Sequence, residues 1–172
     1  MTDEADYNDP DHCTVGVIGE VGHRLFLFYC RQGLTETTVK VEKQQIAVLA
    51  SYLGRIVKEL GRPGHLPDDL SFDGTEDPEW VVGTIGVSYD EELDRVVVVL
   101  EEVHDEGEDE EEEDENAHVL RIALTREQAA AFAIHATRLV EAGRPPCPLC
   151  GLPLDPSGHD CPRTNGHRPP AT

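Results

Sequence analysis

The sequence lacks any uninterrupted apolar stretch near the roughly 18 residues that a membrane-spanning helix requires, so nothing in it reads as a span. Its first eleven residues are acidic and polar where a secretory signal is basic and then apolar, which points to a soluble, cytoplasmic protein. Positive charge is scarce: 14 Lys and Arg stand against 35 Asp and Glu, a net charge of -21. A field of that sign repels phosphate backbones and anionic lipid surfaces, so nucleic acid and membrane are disfavoured partners. Aromatic residues, 5% of the chain, offer few rings on which single-stranded bases could stack. The chain also lacks a Walker loop, a dinucleotide-binding glycine pattern, a nucleophile elbow and a His-Glu-x-x-His helix, which removes the familiar catalytic signatures.

What is present is organised in blocks. At 172 residues the chain suits one domain with a small appendage. Residues 1–13 show no apolar periodicity and read as a disordered acidic tail. Residues 14–18, 23–30 and 37–41 read as strands, with turns at Gly19 to Gly22 and at Gln32-Gly33. From Glu42 the apolar period changes to that of a helix: Ile46, Leu49, Leu53, Ile56, Val57 and Leu60 form one stripe, and Gly61 with Pro63 stops it. Glu42 itself reads as an acid favourable to the helix dipole. Residues 62–79, rich in Pro, Gly and acids, have the composition of a linker.

The pattern then starts again. Residues 80–88, 95–100 and 118–124 read as strands, and a helix follows from about Arg126 to Ala142, with Thr125 and Gln128 spelling a capping box. The two halves agree residue by residue in places. Val15-Gly16-Val17-Ile18-Gly19 answers Val82-Gly83-Thr84-Ile85-Gly86, Arg24 with its apolar run answers Arg95 with its own, and Gln45 answers Gln128. Ile46, Leu49, Leu53, Ile56 and Val57 map at one constant offset onto Ala129, Phe132, Ala136, Leu139 and Val140. A degenerate duplication over 14–143 follows, with repeats 14–61 and 80–143. The expected fold is α+β: two strand-strand-strand-helix repeats forming a pseudo-twofold antiparallel sheet or sheet pair, with two helices on one face. The unbroken run Val96 to Val99 marks a central strand buried on both faces, whereas residues 23–30 show no clean alternation.

Twelve acidic residues and no basic one lie between Glu101 and Glu115, so the span 101–116 reads as a solvated acidic loop, with capture of a basic partner as its alternative use. His135 falls off the apolar stripe and is expected at the surface, as are His23, His104 and His118 near strand ends.

The chemistry-bearing pattern is at 144–168. Cys147-Pro148-Leu149-Cys150-Gly151 is followed by Gly158-His159-Asp160-Cys161-Pro162. Cys-Pro-x-Cys-Gly is a zinc-knuckle spelling: a tight turn aims backbone amides at both thiolates, and glycine permits the positive φ that the turn needs. Cys147, Cys150, His159 and Cys161 are the expected ligands of one structural Zn²⁺, with His167 competing for the fourth place. The alternative, a reducible thiol pair, fits poorly because redox motifs of that type open a helix after a strand, and prolines surround this one. Four protein ligands leave no open position on the metal, which favours structure over catalysis. Cys13 and Cys30 then remain as free thiols.

Val41-Glu42-Lys43-Gln44-Gln45, together with the run from Ala142 through Cys150-Gly151 to Cys161-Pro162-Arg163, resembles an uncharacterised family of actinobacterial proteins over about residues 14–168. The resemblance implies a conserved cytoplasmic protein and brings no activity, substrate or catalytic residue. It also implies an aromatic residue at the position of His167, which favours His159 as ligand, and it marks the long acidic loop as a departure from the family pattern. The reading preferred from these observations is a non-enzymatic, zinc-containing adaptor for a protein partner. A single-strand nucleic-acid binder and an enzyme with its site between the two repeats are the rivals.

Overall fold

The computed structural model describes residues 4–20, 22–104, 117–143, 146–152, 154 and 159–164. Seven strands and two helices run in the order β1 (Glu4–Tyr7), β2 (His12–Ile18), β3 (Leu25–Gln32), β4 (Thr35–Val41), α1 (Lys43–Leu60), β5 (Val82–Asp90), β6 (Arg95–Glu102), β7 (Val119–Leu124) and α2 (Arg126–Glu141). The fold is α+β, and the strand-strand-strand-helix order occurs twice. The strands form two sheets, β2-β3-β4 and β1-β7-β6-β5. A parallel bridge between Lys40 and Val81 links β4 to the residues entering β5.

Each helix forms where sequence periodicity and caps agree. The carbonyl of the Gln45 side chain accepts from the Glu42 amide at 2.8 Å, and that of Gln128 accepts from the Thr125 amide at 3.0 Å, so corresponding residues start both helices the same way. Gly61, at φ 97°, ends α1 in a conformation that a side chain would resist. The helices pack against each other, α2 against β2 of the first unit and α1 against β5 of the second. Each helix also begins with a cation at the other's C-terminus. Arg126 donates to the Leu60 carbonyl at 2.7 Å, and the Lys43 ammonium lies against Gly143, close enough to obstruct a Cβ there. Lys43 and Arg126 are separated by the same offset that relates the two apolar stripes.

The core fills the space between sheets and helices with Phe26, Phe28, Val39, Val41, Val96, Val98, Leu100, Leu120 and Ile122 from strands, and with Ile46, Leu49, Leu53, Val57, Phe132 and Ala136 from helices. Val96, Val97 and Val98 are all buried, and β6 lies between β5 and β7, as the unbroken apolar run predicts. The missing alternation in β3 also has its cause here. Phe26, Phe28 and Cys30 join the core, while Leu27 and Tyr29 on the opposite face are equally buried.

That opposite face is covered by residues 62–79. The segment has no regular secondary structure, yet Phe72 packs edge-on to Tyr29 at 5.8 Å between ring centroids, and a Cβ on Gly16 would run into the Phe72 ring. Thr14 Oγ1 donates to the Leu70 carbonyl at 2.8 Å, and a His12 ring nitrogen lies 2.7 Å from the Ser71 carbonyl. Linker composition therefore describes a packed cover for the first sheet.

The disordered tail expected over 1–13 is also corrected from residue 4 onward, residues 1–3 lying outside the described residues. Residues 4–7 form β1, parallel to β7 and in register from Glu4 with Val119 to Tyr7 with Ile122, and His12 and Cys13 already belong to β2. Tyr7 is buried, its hydroxyl 2.8 Å from Thr37 Oγ1, and burial pushes its phenol above the ordinary value. Glu-Ala-Asp-Tyr has no strand pattern of its own; β7 supplies the ladder. The expected acidic loop at 101–116 begins inside β6, which includes Glu101 and Glu102, and residues 105–116 lie outside the described residues.

Candidate metal centre

The turn Cys147 to Leu152 is closed by two backbone hydrogen bonds, from the Gly151 amide to the Cys147 carbonyl at 2.8 Å and from the Cys147 amide to the Leu152 carbonyl at 2.7 Å. Gly151 sits at φ 74°, the left-handed conformation for which glycine is suited. This geometry turns the Leu149 and Cys150 amides toward Cys147 sulfur and the Leu152 amide toward Cys150 sulfur. The chain then returns so that His159 and Cys161 close the cluster.

All four predicted ligands come together. One ligand atom from each of Cys147, Cys150, His159 and Cys161 lies within 4.8 Å of every other. Cys147 and Cys161 are buried, with their sulfurs 4.0 Å apart, and Cys150 sulfur lies 3.3 Å from His159 Nε2. None of the five cysteines is joined in a disulfide. His159 Nδ1 is buried and has no hydrogen-bond partner among the described residues. His167 lies outside the described residues.

The electrostatics of the cluster favour a cation. Burial pushes the Cys147 thiol up, but the Leu149 and Cys150 amides and the adjoining sulfurs outweigh it and hold the group below its ordinary value. The Leu152 amide pulls Cys150 down; burial and the neighbouring Cys161 and Cys147 thiols outweigh that and leave it above its ordinary value. Thiols this close cannot all ionise without a positive charge among them, and a bound metal ion supplies it. The arrangement could thus hold one metal ion with four protein ligands.

The other residues singled out in the sequence do not converge on a site. His23 and His104 are exposed. His118 pairs with Glu102, Nδ1 to Oε2 at 2.7 Å, and stacks on Trp80 with ring centroids 6.1 Å apart. His135 is half-buried, contrary to the expectation of exposure, with Nε2 3.0 Å from the Val15 carbonyl across the α2–β2 contact. Glu42 stands at the start of α1, as its position suggested.

The rival reading of a site between the two repeats has a counterpart in the structure, though the residues lining it were not anticipated. An open apolar cleft of about 590 Å³ lies between α1 and β5, flanked by Val48, Leu49, Tyr52, Ile85 and Val87. Its signal was Val48 and Tyr52, apolar residues that fall beside the buried stripe of α1. Among the described residues, no helix is long and apolar enough to cross a membrane.

The chain was compared with known proteins. The model of a family described as a protein of unknown function, DUF3090, matches residues 5–161. No curated protein matches the chain.

Proposed function

Since the chain belongs to the DUF3090 family of proteins of unknown function, whose name carries no activity, we propose from its geometry that it is a cytoplasmic zinc protein acting as a non-enzymatic binding module for another protein. The observation that carries the metal reading is the convergence of three thiols and one imidazole within 4.8 Å. A tetrahedral Zn²⁺ with metal–sulfur bonds of about 2.3 Å separates its sulfurs by about 3.8 Å, close to the 4.0 Å between Cys147 and Cys161. A disulfide between them would need about 2 Å. His159 Nδ1 is buried and unpartnered among the described residues, and ligation of a metal ion through that nitrogen would offset its desolvation.

Three thiolates and an imidazole fill a tetrahedral zinc, so the ion would organise residues 146–164 and leave no position for substrate or activated water. The cleft between α1 and β5 joins the two repeats, where an enzyme of this symmetry would hold its site. Its lining includes the amides of Gln44 and Gln45, Thr84 and Tyr52, and among the described residues no carboxylate, histidine, cysteine or lysine. That supports binding over catalysis. Free cysteines suit a reducing compartment.

Metal analysis of the purified chain tests the first half of this reading. One zinc per chain is expected, lost in His159→Ala and Cys161→Ser and kept in His167→Ala. Loss of zinc from His167→Ala with retention in His159→Ala would show that the ligand set is wrong. For the second half, affinity capture should return a protein that a chain lacking residues 144–172 fails to hold; retention of every partner by the shortened chain speaks against the knuckle as binding surface.

A further inference from the structure

The five cysteines of the chain stand in two environments. Cys13 and Cys30, register partners across β2 and β3, are 4% and 0% exposed and belong to the hydrophobic core. An oxygen atom added to either sulfur would have to displace close-packed neighbours. Cys147, Cys150 and Cys161 belong to the segment after α2 and stand outside that core. Their burial is unequal: Cys147 and Cys161 are 2% and 1% exposed, whereas Cys150 keeps part of its surface in solvent.

Cys150 also has thiol neighbours. The sulfurs of Cys147 and Cys161 each lie within 4.8 Å of its own. A disulfide joins two sulfurs at about 2 Å, so a movement of less than about 3 Å brings either neighbour into bonding distance. A cysteine reached from solvent with a second thiol beside it is the arrangement that responds reversibly to peroxide, because the first oxidised sulfur is captured as a disulfide before further oxygen is added. The surface around Cys150 is apolar. Leu149 and Leu152 flank it in the same turn at 48% and 49% exposed, so the turn that presents them also carries two of the four candidate ligands.

Charge narrows the oxidant. A net charge of -21 repels anionic oxidants and leaves neutral hydrogen peroxide unhindered. We infer that the metal centre is a peroxide-responsive switch, in which oxidation at Cys150 forms a disulfide with Cys147 or Cys161, frees the metal ion and dissolves the knuckle as a binding surface. The switch rests on the zinc reading above and regulates that same site. In its first step the Cys150 thiolate attacks hydrogen peroxide: an S–O bond forms, the O–O bond breaks, and hydroxide takes a solvent proton and leaves as water. In the second, the neighbouring thiolate attacks the sulfenic sulfur of Cys150: the S–S bond forms, the S–O bond breaks, and a second hydroxide leaves as water with a second solvent proton. The two sulfurs together lose the two electrons that the peroxide gains. One thiolate and one imidazole then remain of the four ligands, too few to keep the ion or the fold of the segment. The core that unites strands and helices is untouched, since none of these three cysteines belongs to it.

The zinc-loaded full chain, treated with equimolar hydrogen peroxide in the presence of a zinc-sensitive dye, tests the switch. One zinc per chain should appear in solution as two thiols disappear. Peptide mapping after alkylation should find a single disulfide that contains Cys150, with Cys13 and Cys30 still reduced. Dithiothreitol and zinc together should restore the thiols and the bound metal, and the main thermal transition should persist throughout. Zinc retained under peroxide that fully oxidises free glutathione overturns the switch. So does a disulfide between Cys147 and Cys161 that leaves Cys150 reduced, a Cys150 carried to sulfinic acid with no disulfide, or loss of the main thermal transition along with the metal. A chain that holds no zinc before peroxide is added overturns the metal reading and the switch with it, whereas a chain that holds zinc and keeps it overturns the switch alone.

Discussion

At the scale of single residues, the pairing of Glu102 with His118 makes the molecule's stability respond to acid. The His118 ring donates to the carboxylate, the His118 amide adds a second hydrogen bond at 3.2 Å, and these contacts hold Glu102 below its ordinary value. A carboxyl with a depressed folded-state pKa stabilises the fold above the unfolded value, and the contribution disappears as pH falls through the folded value. Both side chains are partly exposed, at 29% for Glu102 and 42% for His118, so solvent screening limits the effect to about 1 kcal/mol at most. Glu102→Gln should accordingly be less stable than the wild type at pH 7, and the gap should close as pH drops below the usual carboxylate range. Urea denaturation at several pH values measures it; parallel losses in both proteins would remove Glu102 from the acid response.

The four residues of the candidate metal centre were the most legible of the chain, because a Cys-x-x-Cys turn is local and its spelling states its geometry. His159 rather than His167 rested on proximity to Cys161. The environment of His135 was not legible in the same way. Its distance from the apolar stripe is a property of one helix, whereas its contact with the Val15 carbonyl depends on where β2 lies, 120 residues away in sequence.

At the scale of elements, both helices were read closely because period, cap and stop signal coincide. Thr125 shows how much a cap contributes: its side-chain oxygen accepts from the Gln128 amide at 3.1 Å, satisfying one of the free donors of the first turn. Thr125→Ala should cost about 1 kcal/mol, read as a lowered urea midpoint with unchanged slope, and Thr125→Ser should restore most of it. An unchanged midpoint in the alanine variant would assign the start of α2 to packing alone. The elements misread were those without internal signals. β1 contains two acids in four residues and is a strand because β7 pairs with it, and residues 62–79 are irregular yet fixed by Phe72, Ser71 and Leu70 against the first sheet.

At the scale of the whole molecule, element order implied α+β architecture and a duplicated unit whose consecutive strands pair within each sheet, while the place of β1 beside β7 followed only from a pairing far apart in sequence. A site between the two units was anticipated, but not its lining, since α1 and β5 lie in different units. Cys147 and Cys161 are buried, but neither belongs to the hydrophobic core that unites strands and helices, and among buried residues that core ends with Ala136. The strands and helices therefore hold their own core, and the segment carrying the candidate metal centre has too few apolar residues to hold one unaided. A chain ending at Gly143 should fold with helix and strand content close to that of the full chain. In the full protein, chelation should strip the metal and expose three cysteines to thiol reagents while the main thermal transition shifts by no more than a few degrees. Cys13 and Cys30, which are register partners across β2 and β3 with burial raising the Cys13 thiol, should stay unreactive until that transition. Simultaneous release of all five thiols on chelation would show that the metal holds the entire fold together, and the separation of body from knuckle would be lost.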